Sequence, residues 1–392
     1  MFAQIAAVTA MNIKSLPQRL GSSAVLVIGI AGVVLVLVSV LAMATGFTKV
    51  MANVGRDDRA IVVRVGSNSE ISSSMSREVA QIVADSPGVR KTAENKAIAS
   101  AEVVMLMEIP RKDGGTANAV LRGVGPQAFD LRPEIHIVEG RMFQPAVHEI
   151  IVGKSAEAQF QGLNIGDHIV SRGMEWTVVG IFESGGDAHE SELMADAETV
   201  LSGYRNLFQT TTVMLESKDS FDAFRDALTT NPRLSVDVKR ESEFYAEQSK
   251  LLNTILSYVA YGVGSIMAIG AILAALNSMY SAVSARTREI ATLRALGFGS
   301  ASVIVSIFAE AAVLALIGAV IGTSLAWLLF DGLSVSTSAG SGGLFQTQFA
   351  LAVTPGLIAL GIVWALIIGA VGGLFPAIRA ARLPVAVALR AV

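Results

Sequence analysis

The chain has 392 residues, of which 52% are hydrophobic and 16% are charged, and its formal net charge is −3. With a mean hydropathy of +0.56, the chain is too apolar for an ordinary soluble protein. It contains no cysteine, which excludes disulfides and thiol chemistry. We expect no nucleic-acid partner.

Residues 1–20 predict a short interfacial helix. Apolar residues from Phe2 to Leu20 recur at near-helical spacing, and Lys14 and Arg19 fall elsewhere. We expect this helix to lie on the cytoplasmic membrane surface before the chain turns inward at Pro17. The alternative interpretation is a weakly ordered terminus.

Four long runs with almost no charge predict membrane-spanning helices. Residues 20–48, 251–285 and 332–378 contain no charged side chain, and 295–330 contain only Glu310. Each run is long enough to cross a hydrocarbon core, which takes about 20 apolar residues. The predicted spans are 21–48, 251–285, 300–330 and 356–378.

The first run also resembles a secretory signal peptide, because Ala42-Met43-Ala44 has the form of a cleavage site. A signal core has about 7–15 apolar residues, and the uncharged run 20–48 is much longer. We therefore interpret it as a membrane anchor.

The distribution of basic residues predicts the orientation. The segment 331–355 has no lysine or arginine, whereas three other short flanks are basic. Since basic flanks stay in the cytoplasm, the N-terminus, 286–299 and a C-terminal tail of residues 379–392 are expected there. The domain 49–250 and a short loop of residues 331–355 are expected outside. The basic flank residues are Lys14, Arg19, Arg286, Arg288, Arg294, Arg379, Arg382 and Arg390.

Two similar strand–helix–strand patterns occur in the large polar segment 49–250. Both contain a break between the helix and the second strand, at Pro87-Gly88 and Asn231-Pro232. They predict a pseudo-symmetric α+β module formed by 49–109 and 211–240, although chance similarity is an alternative. The predicted elements are 60–66, 75–86 and 98–109, then 212–216, 219–230 and 234–238.

Residues 110–210 differ in composition from the segments on either side. Frequent glycines separate short apolar strands such as 147–152 and 175–182. We expect a β-rich subdomain inserted into the α+β module.

From Glu241 to Ala285 the sequence contains no proline and no strong breaker. A continuous helix would be about 65 Å long, twice the thickness of a hydrocarbon core. This predicts a second span that continues beyond the membrane as a stalk. The alternative is a helix broken near Lys250.

Motifs of common enzymes are missing. Gly153-Lys154-Ser155 resembles the end of a phosphate loop, but His148 stands where the first glycine is needed. The histidines show no metal-binding spacing, and no serine lies in a Gly-x-Ser-x-Gly motif. We therefore expect no enzymatic activity, no metal and no directly bound cofactor. The four histidines are His136, His148, His168 and His189.

The segment Arg286-Thr-Arg-Glu-Ile-Ala-Thr-Leu-Arg-Ala-Leu-Gly297 closely resembles the core signature of MacB/FtsX-type (type VII) ABC transporter permeases. Two further sets of residues are similar to the third span and to the closing motif of that family. These are Ile307-Phe308, Glu310, Leu316, Gly318 and Gly322, and Pro376–Arg382 with Pro384 and 388–390. The outer segment resembles the MacB-type periplasmic domain at 140–143, 149–153, 166–167, 176–182 and 190–192.

This resemblance implies an α-helical membrane protein with four transmembrane helices, a large α+β extracytoplasmic domain and the type VII ABC transporter fold. It implies location in the bacterial inner membrane and a second permease copy, identical or related. Because this chain has no phosphate loop, ATP and Mg would be bound by a separate cytoplasmic ABC ATPase subunit. A periplasmic adaptor protein and membrane lipids are further expected partners.

The resemblance also implies residue roles. The segment 286–299 would be the coupling helix that docks on the ATPase, and Gly297 would be its left-handed stop. We expect an apolar edge of Ile290, Leu293 and Leu296 and a charged edge of Arg286, Arg288, Glu289 and Arg294. The alternative is a solvated helix whose arginines meet lipid phosphates. Glu310, a carboxyl group inside a span, is expected to pair with Arg294 or a neighbouring helix, or to be protonated. We favour a structural hydrogen bond to another helix, and the alternative is a role in substrate passage. Two glycine pairs would allow close helix packing. The coupling residues would be Arg286, Thr287, Arg288, Glu289, Ile290, Leu293, Arg294, Leu296 and Gly297, and the packing glycines Gly318, Gly322, Gly369 and Gly373.

The expected function is mechanotransmission. ATP hydrolysis in the partner would move the 286–297 helix and, through the second span, the periplasmic domain. This movement would drive export or extraction of a substrate. One alternative is an FtsX-like transmitter that activates a periplasmic partner without transport, and another is a membrane-anchored sensor or scaffold.

Overall fold

The computed structural model describes residues 2–15, 20–171, 173–204, 207–339, 345–382 and 384. The helices are α1 (Phe2–Ser15), α2 (Leu20–Val54), α3 (Arg77–Ala84), α4 (Ala128–Leu131), α5 (Lys154–Gln159), α6 (Ala197–Tyr204), α7 (Phe221–Thr229), α8 (Glu241–Ala285), α9 (Thr287–Ala295), α10 (Ser300–Phe330) and α11 (Pro355–Ala381). The strands are β1 (Arg59–Arg64), β2 (Ala99–Pro110), β3 (Thr116–Val124), β4 (His136–Gly140), β5 (Glu149–Gly153), β6 (His168–Ser171), β7 (Met174–Glu183), β8 (Glu192–Asp196), β9 (Thr210–Met214), β10 (Val236–Arg240), β11 (Ser334–Ala339) and β12 (Phe345–Ala350).

The chain divides into two compact units. The helical unit comprises Met1–Thr45, Thr254–Leu333 and Leu351–Val392, and the sheet unit comprises Gly46–Asn253 and Ser334–Ala350. Among the residues that the structure describes, four helices are long and apolar enough to cross a membrane, which confirms the prediction of four transmembrane helices. They are Ser23–Val54 within α2, and the whole of α8, α10 and α11.

Small residues bring the helices of the helical unit together. A Cβ atom added at Gly318 or Gly322 of α10 would lie 3.0 or 2.6 Å from backbone oxygens of α2. A Cβ atom added at Gly369 or Gly373 of α11 would lie 2.5 or 2.6 Å from an alanine Cβ of α10. The structure therefore places both predicted glycine pairs at contacts between helices of one chain, where a larger side chain does not fit.

A first prediction concerns Gly322. Replacing it by valine should destabilise the helical unit by about 1–3 kcal/mol, because the new side chain meets the Ala31 carbonyl, part of a helix backbone that cannot swing away. Unfolding of the purified chain in mixed micelles measures the effect. Gly32→Val on α2 is the matched control, since nothing lies within 4 Å of a Cβ atom added there. Equal losses in both variants would contradict the packing role.

The N-terminal helix α1 packs against α10. Val8 is buried, and Asn12 Nδ2 donates a hydrogen bond of 2.5 Å to Ser306 Oγ. The helix predicted for residues 1–20 is thus tied to the helical unit by specific side-chain contacts. The turn predicted at Pro17 lies outside the described residues.

Helix α8 is continuous over 45 residues. The alternative of a break near Lys250 is not observed, because that residue lies within the helix. Within the helical unit the buried face of α8 carries small residues at a helical period, which suits close packing. These residues are Ala260, Gly264, Ala268, Ala271 and Ala275.

The first half of the sheet unit has a ferredoxin-like arrangement. Strands β10, β1, β9 and β2 are neighbours in that order, and every pair is antiparallel. Helix α3 connects β1 with β2, and α7 connects β9 with β10. Two strand–helix–strand units interleaved in this way form the β-α-β-β-α-β motif, with 110–210 between its second and third strands.

The inserted segment does not form an independent sheet. The order continues from β2 through β3, β8, β5 and β7 to β4, and β6 pairs with β7. Strand β2 is shared, since Ala99–Glu102 pair with β9 and Val103–Pro110 pair with β3. One apolar cluster extends through both halves, from Val62 and Phe224 to Trp176.

The segment 331–355, predicted to be a short loop, contains a β-hairpin. Strands β11 and β12 pair in antiparallel register from Ser334↔Ala350 to Ala339↔Phe345. The alternation Phe345-Gln-Thr-Gln-Phe349 has the period of a strand, which the sequence interpretation overlooked. Phe349 is buried and contacts the Phe47 ring edge-to-face at 5.5 Å, within the sheet unit.

Candidate functional site

Helix α9 corresponds to most of the predicted coupling segment and ends in a Schellman motif. Gly297 has φ +92°, the left-handed conformation predicted for it. Its N–H donates to the Arg294 carbonyl, and the Phe298 N–H donates to the Leu293 carbonyl, both at 3.1 Å. These bonds satisfy carbonyls at the helix end, so α9 is a defined helix with a fixed end.

One side of α9 is buried and the other is exposed. Ile290 and Ala291 are buried, whereas Arg288 and Glu289 are exposed. Leu296 is 73% exposed. The apolar edge predicted from Ile290, Leu293 and Leu296 is therefore divided between the two sides. Thr287, Leu293 and Arg294 have intermediate exposure.

Arg286 does not share the exposed charged side of α9. It lies directly before the helix and points inward, where its Nη1 donates to Glu310 Oε2 at 3.0 Å and its Nη2 to Glu310 Oε1 at 3.3 Å. Both side chains are about 95% buried. The sequence suggested Arg294 as a partner of Glu310, but the structure brings Arg286 to it. This bidentate pair ties the start of α9 to α10.

A small cavity adjoins this ion pair. Its volume is about 20 Å³, and residues of α1, α8, α9 and α10 line it together with Arg286. Pockets for small molecules measure about 300–1,000 Å³. The cavity beside Arg286 and Glu310 is therefore much smaller than a pocket for a small molecule.

A second polar site, which sequence reasoning missed, lies inside the sheet unit. We call it the buried ion cluster. Arg122 on β3 is at its centre and makes two hydrogen bonds to Glu192, two to Glu70 and one to Glu102, at 2.7–3.0 Å. The members of the cluster are Arg59, Glu70, Glu102, Arg122, Arg132, Glu134, His189, Glu192, Glu241 and Tyr245.

The charges of the cluster depend on one another. Burial opposes ionisation of Glu102, but Arg132 and Arg122 outweigh it and lower the pKa of Glu102 to about 2. Burial also opposes ionisation of Glu192, yet Arg122 and His189 lower its pKa well below the usual range. Charges buried to this degree are costly unless paired, so the cluster holds these elements in one arrangement.

A second prediction concerns pH. Burial lowers the pKa of His189, but Glu192 and Asp187 outweigh this effect and raise it overall. The folded state then binds the proton more tightly than the unfolded state. The stabilisation is complete below about pH 6.5 and is lost as the pH rises through the folded pKa.

The apparent unfolding temperature of the sheet unit should therefore fall between neutral and mildly alkaline pH. Fluorescence of the buried Trp176 measures it in a full chain with Trp327→Phe and Trp364→Phe. His189→Gln should flatten this dependence, whereas His168→Gln should preserve it, since the His168 side chain is 57% exposed. A steep dependence that persists in His189→Gln would refute the assignment.

Comparisons with known proteins agree with this architecture. The family model for the MacB-like periplasmic core domain matches residues 23–231, and that for the FtsX-like permease C-terminal region matches 261–385. A macrolide export ATP-binding/permease protein MacB from Bartonella henselae is 25% identical over 292 residues, which are 70% of this chain and 43% of that protein. Its namesake from Chromobacterium violaceum is 33% identical over 135 residues, 34% of this chain and 19% of that protein.

Among solved structures, the periplasmic region of MacB from Actinobacillus actinomycetemcomitans aligns with a TM-score of 0.36 and 13% identity. The alignment covers 52% of this chain and 94% of that structure. The chain thus spans less than half the length of the two MacB proteins cited above. The two family matches together extend over most of the described chain, and the first alone includes more than half of its residues. The chain therefore belongs to the MacB/FtsX-type (type VII) permeases of ABC transporters and is a multi-pass bacterial membrane protein with a MacB-like periplasmic domain.

Proposed function

We propose that this permease receives the energy of ATP hydrolysis from a separate cytoplasmic ATPase subunit and passes it to its periplasmic sheet unit as movement. The movement drives export of a substrate, or its extraction from the outer leaflet. The observation that carries this proposal is the construction of α9. Its exposed side offers Arg288, Glu289 and Leu296 to a partner, and its buried side is tied to α10 through Arg286 and Glu310.

The connection of α9 to α8 gives the movement a direction. Only Arg286 separates the end of α8 from the start of α9, and the Ile290 N–H donates to the Arg286 carbonyl at 2.9 Å. A force on α9 therefore acts directly on α8, whose other end lies in the sheet unit. In this proposal the termini and α9 are cytoplasmic, and a second permease copy completes the transporter. A periplasmic adaptor is a further proposed partner.

A third prediction tests the docking side of α9. Leu296→Asp and Glu289→Arg should abolish co-purification with the ABC ATPase co-expressed from a neighbouring gene, together with ATP turnover stimulated by the permease. Leu296 is the more informative position, because its exposure makes the substitution compatible with folding. Leu293→Asp should have the same effect but also disturbs the cavity lining.

Leu333→Asp is the matched control, since Leu333 is also exposed but follows the opposite end of α10. If Leu296→Asp and Glu289→Arg leave ATPase association and turnover at the level of Leu333→Asp, α9 is not the docking helix. If the ATPase associates normally but no client is moved and a periplasmic hydrolase is activated, the FtsX-like alternative is correct.

A further inference from the structure

Glu241, the first residue of α8, is the least tightly bound carboxylate of the buried ion cluster. Its side chain is fully buried, yet its contacts are long. Glu241 Oε2 lies 3.4 Å from Arg59 Nη1 and 3.3 Å from the backbone N of Arg56, and Oε1 lies 3.6 Å from Arg132 Nη2. Charge-assisted N–H···O bonds are ordinarily about 2.7–2.9 Å long.

Both arginines beside Glu241 have a closer partner. Arg59 binds the Glu134 carboxylate at 2.6 and 2.8 Å, and Arg132 binds Glu102 at 2.5 Å. Glu241 is therefore placed between two cations that are already paired. It can approach either one without breaking a short bond of its own.

The two arginines belong to different halves of the sheet unit. Arg59 begins β1 in the ferredoxin-like half, whereas Arg132 follows α4 in the inserted segment. Glu241 thus lies at the point where α8 meets both halves. The position of the Glu241 side chain therefore determines whether the first turn of α8 is bound more strongly to the ferredoxin-like half or to the inserted segment.

A second contact between α8 and the ion cluster is also long. Tyr245, one turn after Glu241, donates a hydrogen bond of 3.5 Å from its hydroxyl to Glu70 Oε2. Glu70 in turn binds Arg122 at 2.9 and 3.0 Å. Both polar contacts of α8 with the other cluster members are therefore long, whereas Arg122 is joined to Glu70, Glu102 and Glu192 by short bonds. The bonds of Arg122 can persist while α8 shifts against them.

We propose that Glu241 is a positioning residue that exchanges between Arg59 and Arg132 when α8 moves, and that this exchange changes the relative position of the two halves of the sheet unit. The inference rests on the proposed function, because the movement of α8 originates at α9. It concerns Glu241 and the movement within the sheet unit, whereas the proposed function concerns α9 and its contact with the ATPase.

The absence of cysteine in the native sequence allows clean site-directed spin labelling. One label replaces Val65, after β1, and the other replaces Val138 on β4; both positions are exposed and outside the cluster. Pulsed EPR of the full chain in nanodiscs with the ATPase measures the distance between the halves, without nucleotide and with a non-hydrolysable ATP analogue. In the otherwise native chain the nucleotide should shift this distance.

Glu241→Gln keeps the shape but removes the charge, so ATPase binding and turnover should persist while the distance shift is lost. Glu241→Asp should also lose most of the nucleotide-dependent change in distance, because its shorter side chain cannot reach either arginine. If Glu241→Gln does not fold, the result for Glu241→Asp tests the proposal instead. Glu247→Gln is the control on α8: it breaks the partly exposed pair with Lys239 of β10 and should behave as the native chain.

A native-sized shift in a folded Glu241 variant overturns the inference and leaves the proposed function intact. Normal ATPase binding and turnover without any shift in the native chain also overturns it. Failure of the native chain to bind the ATPase overturns both.

Discussion

Replacing Arg122 by methionine is expected to destabilise the sheet unit by about 3–5 kcal/mol. The substitution removes all the bonds that join Glu192, Glu70 and Glu102 at one guanidinium, and it leaves their carboxylates inside the protein. For a domain of this size the loss corresponds to a fall of about 6–20 °C in the apparent unfolding temperature. Trp176 fluorescence of the full chain, with the two other tryptophans replaced, measures it.

Two further variants separate charge from geometry. Arg122→Lys keeps the charge but cannot reproduce the planar set of donors, so it should lie between the native chain and Arg122→Met. Arg77→Met breaks the pair with Glu198, whose side chains are 66% and 57% exposed, and should cost less than about 1 kcal/mol. Similar losses of stability for Arg77→Met and Arg122→Met would show that burial of the cluster adds nothing to the stability of the sheet unit.

Arg286→Met is expected to destabilise the helical unit by a similar amount, about 3–5 kcal/mol, because Glu310 would remain buried without its bidentate partner. The same variant should weaken stimulation of the ATPase, since α9 loses its bond to α10. Unfolding in mixed micelles and ATP turnover measure the two effects.

The double variant Arg286→Met/Glu310→Leu should recover most of the stability, because a neutral pair of similar volume carries no desolvation cost. We expect ATPase stimulation to stay low in it, since the directional bond is still missing. Arg288→Met, at an exposed position on α9, is the control for stability and should leave it unchanged. Full recovery of both properties in the double variant would contradict a positioning role for the ion pair.

Features set by local composition could be predicted from the sequence. Runs without charge predicted the four long helices, because a membrane span needs only length and apolarity. The left-handed conformation at the end of α9 could also be predicted, because it depends on a single glycine, Gly297. The repeats predicted two strand–helix–strand units, since each unit has its own period and break, but the sequence did not predict how their strands interleave.

The buried ion cluster could not be predicted in the same way. Arg59 and Glu241 are 182 positions apart in the sequence, and only the strand order brings them together. One signal was present: Glu102 and Arg122 lie beside apolar stretches of their strands, where a buried charge requires a partner. Arg286 was misplaced for a related reason, since helical periodicity says nothing about a residue that precedes the first turn.

The strand β2 shared by the two halves of the sheet unit has a consequence for cooperativity. Its first four residues complete the ladder of one half and its last eight begin that of the other, with no linker between them. Melting either half therefore removes hydrogen bonds from a strand that the other half needs, so the sheet unit should lose its structure in one transition. The inserted segment is accordingly not an exchangeable module: its replacement by a short turn would expose eight residues of an unpaired, largely apolar strand.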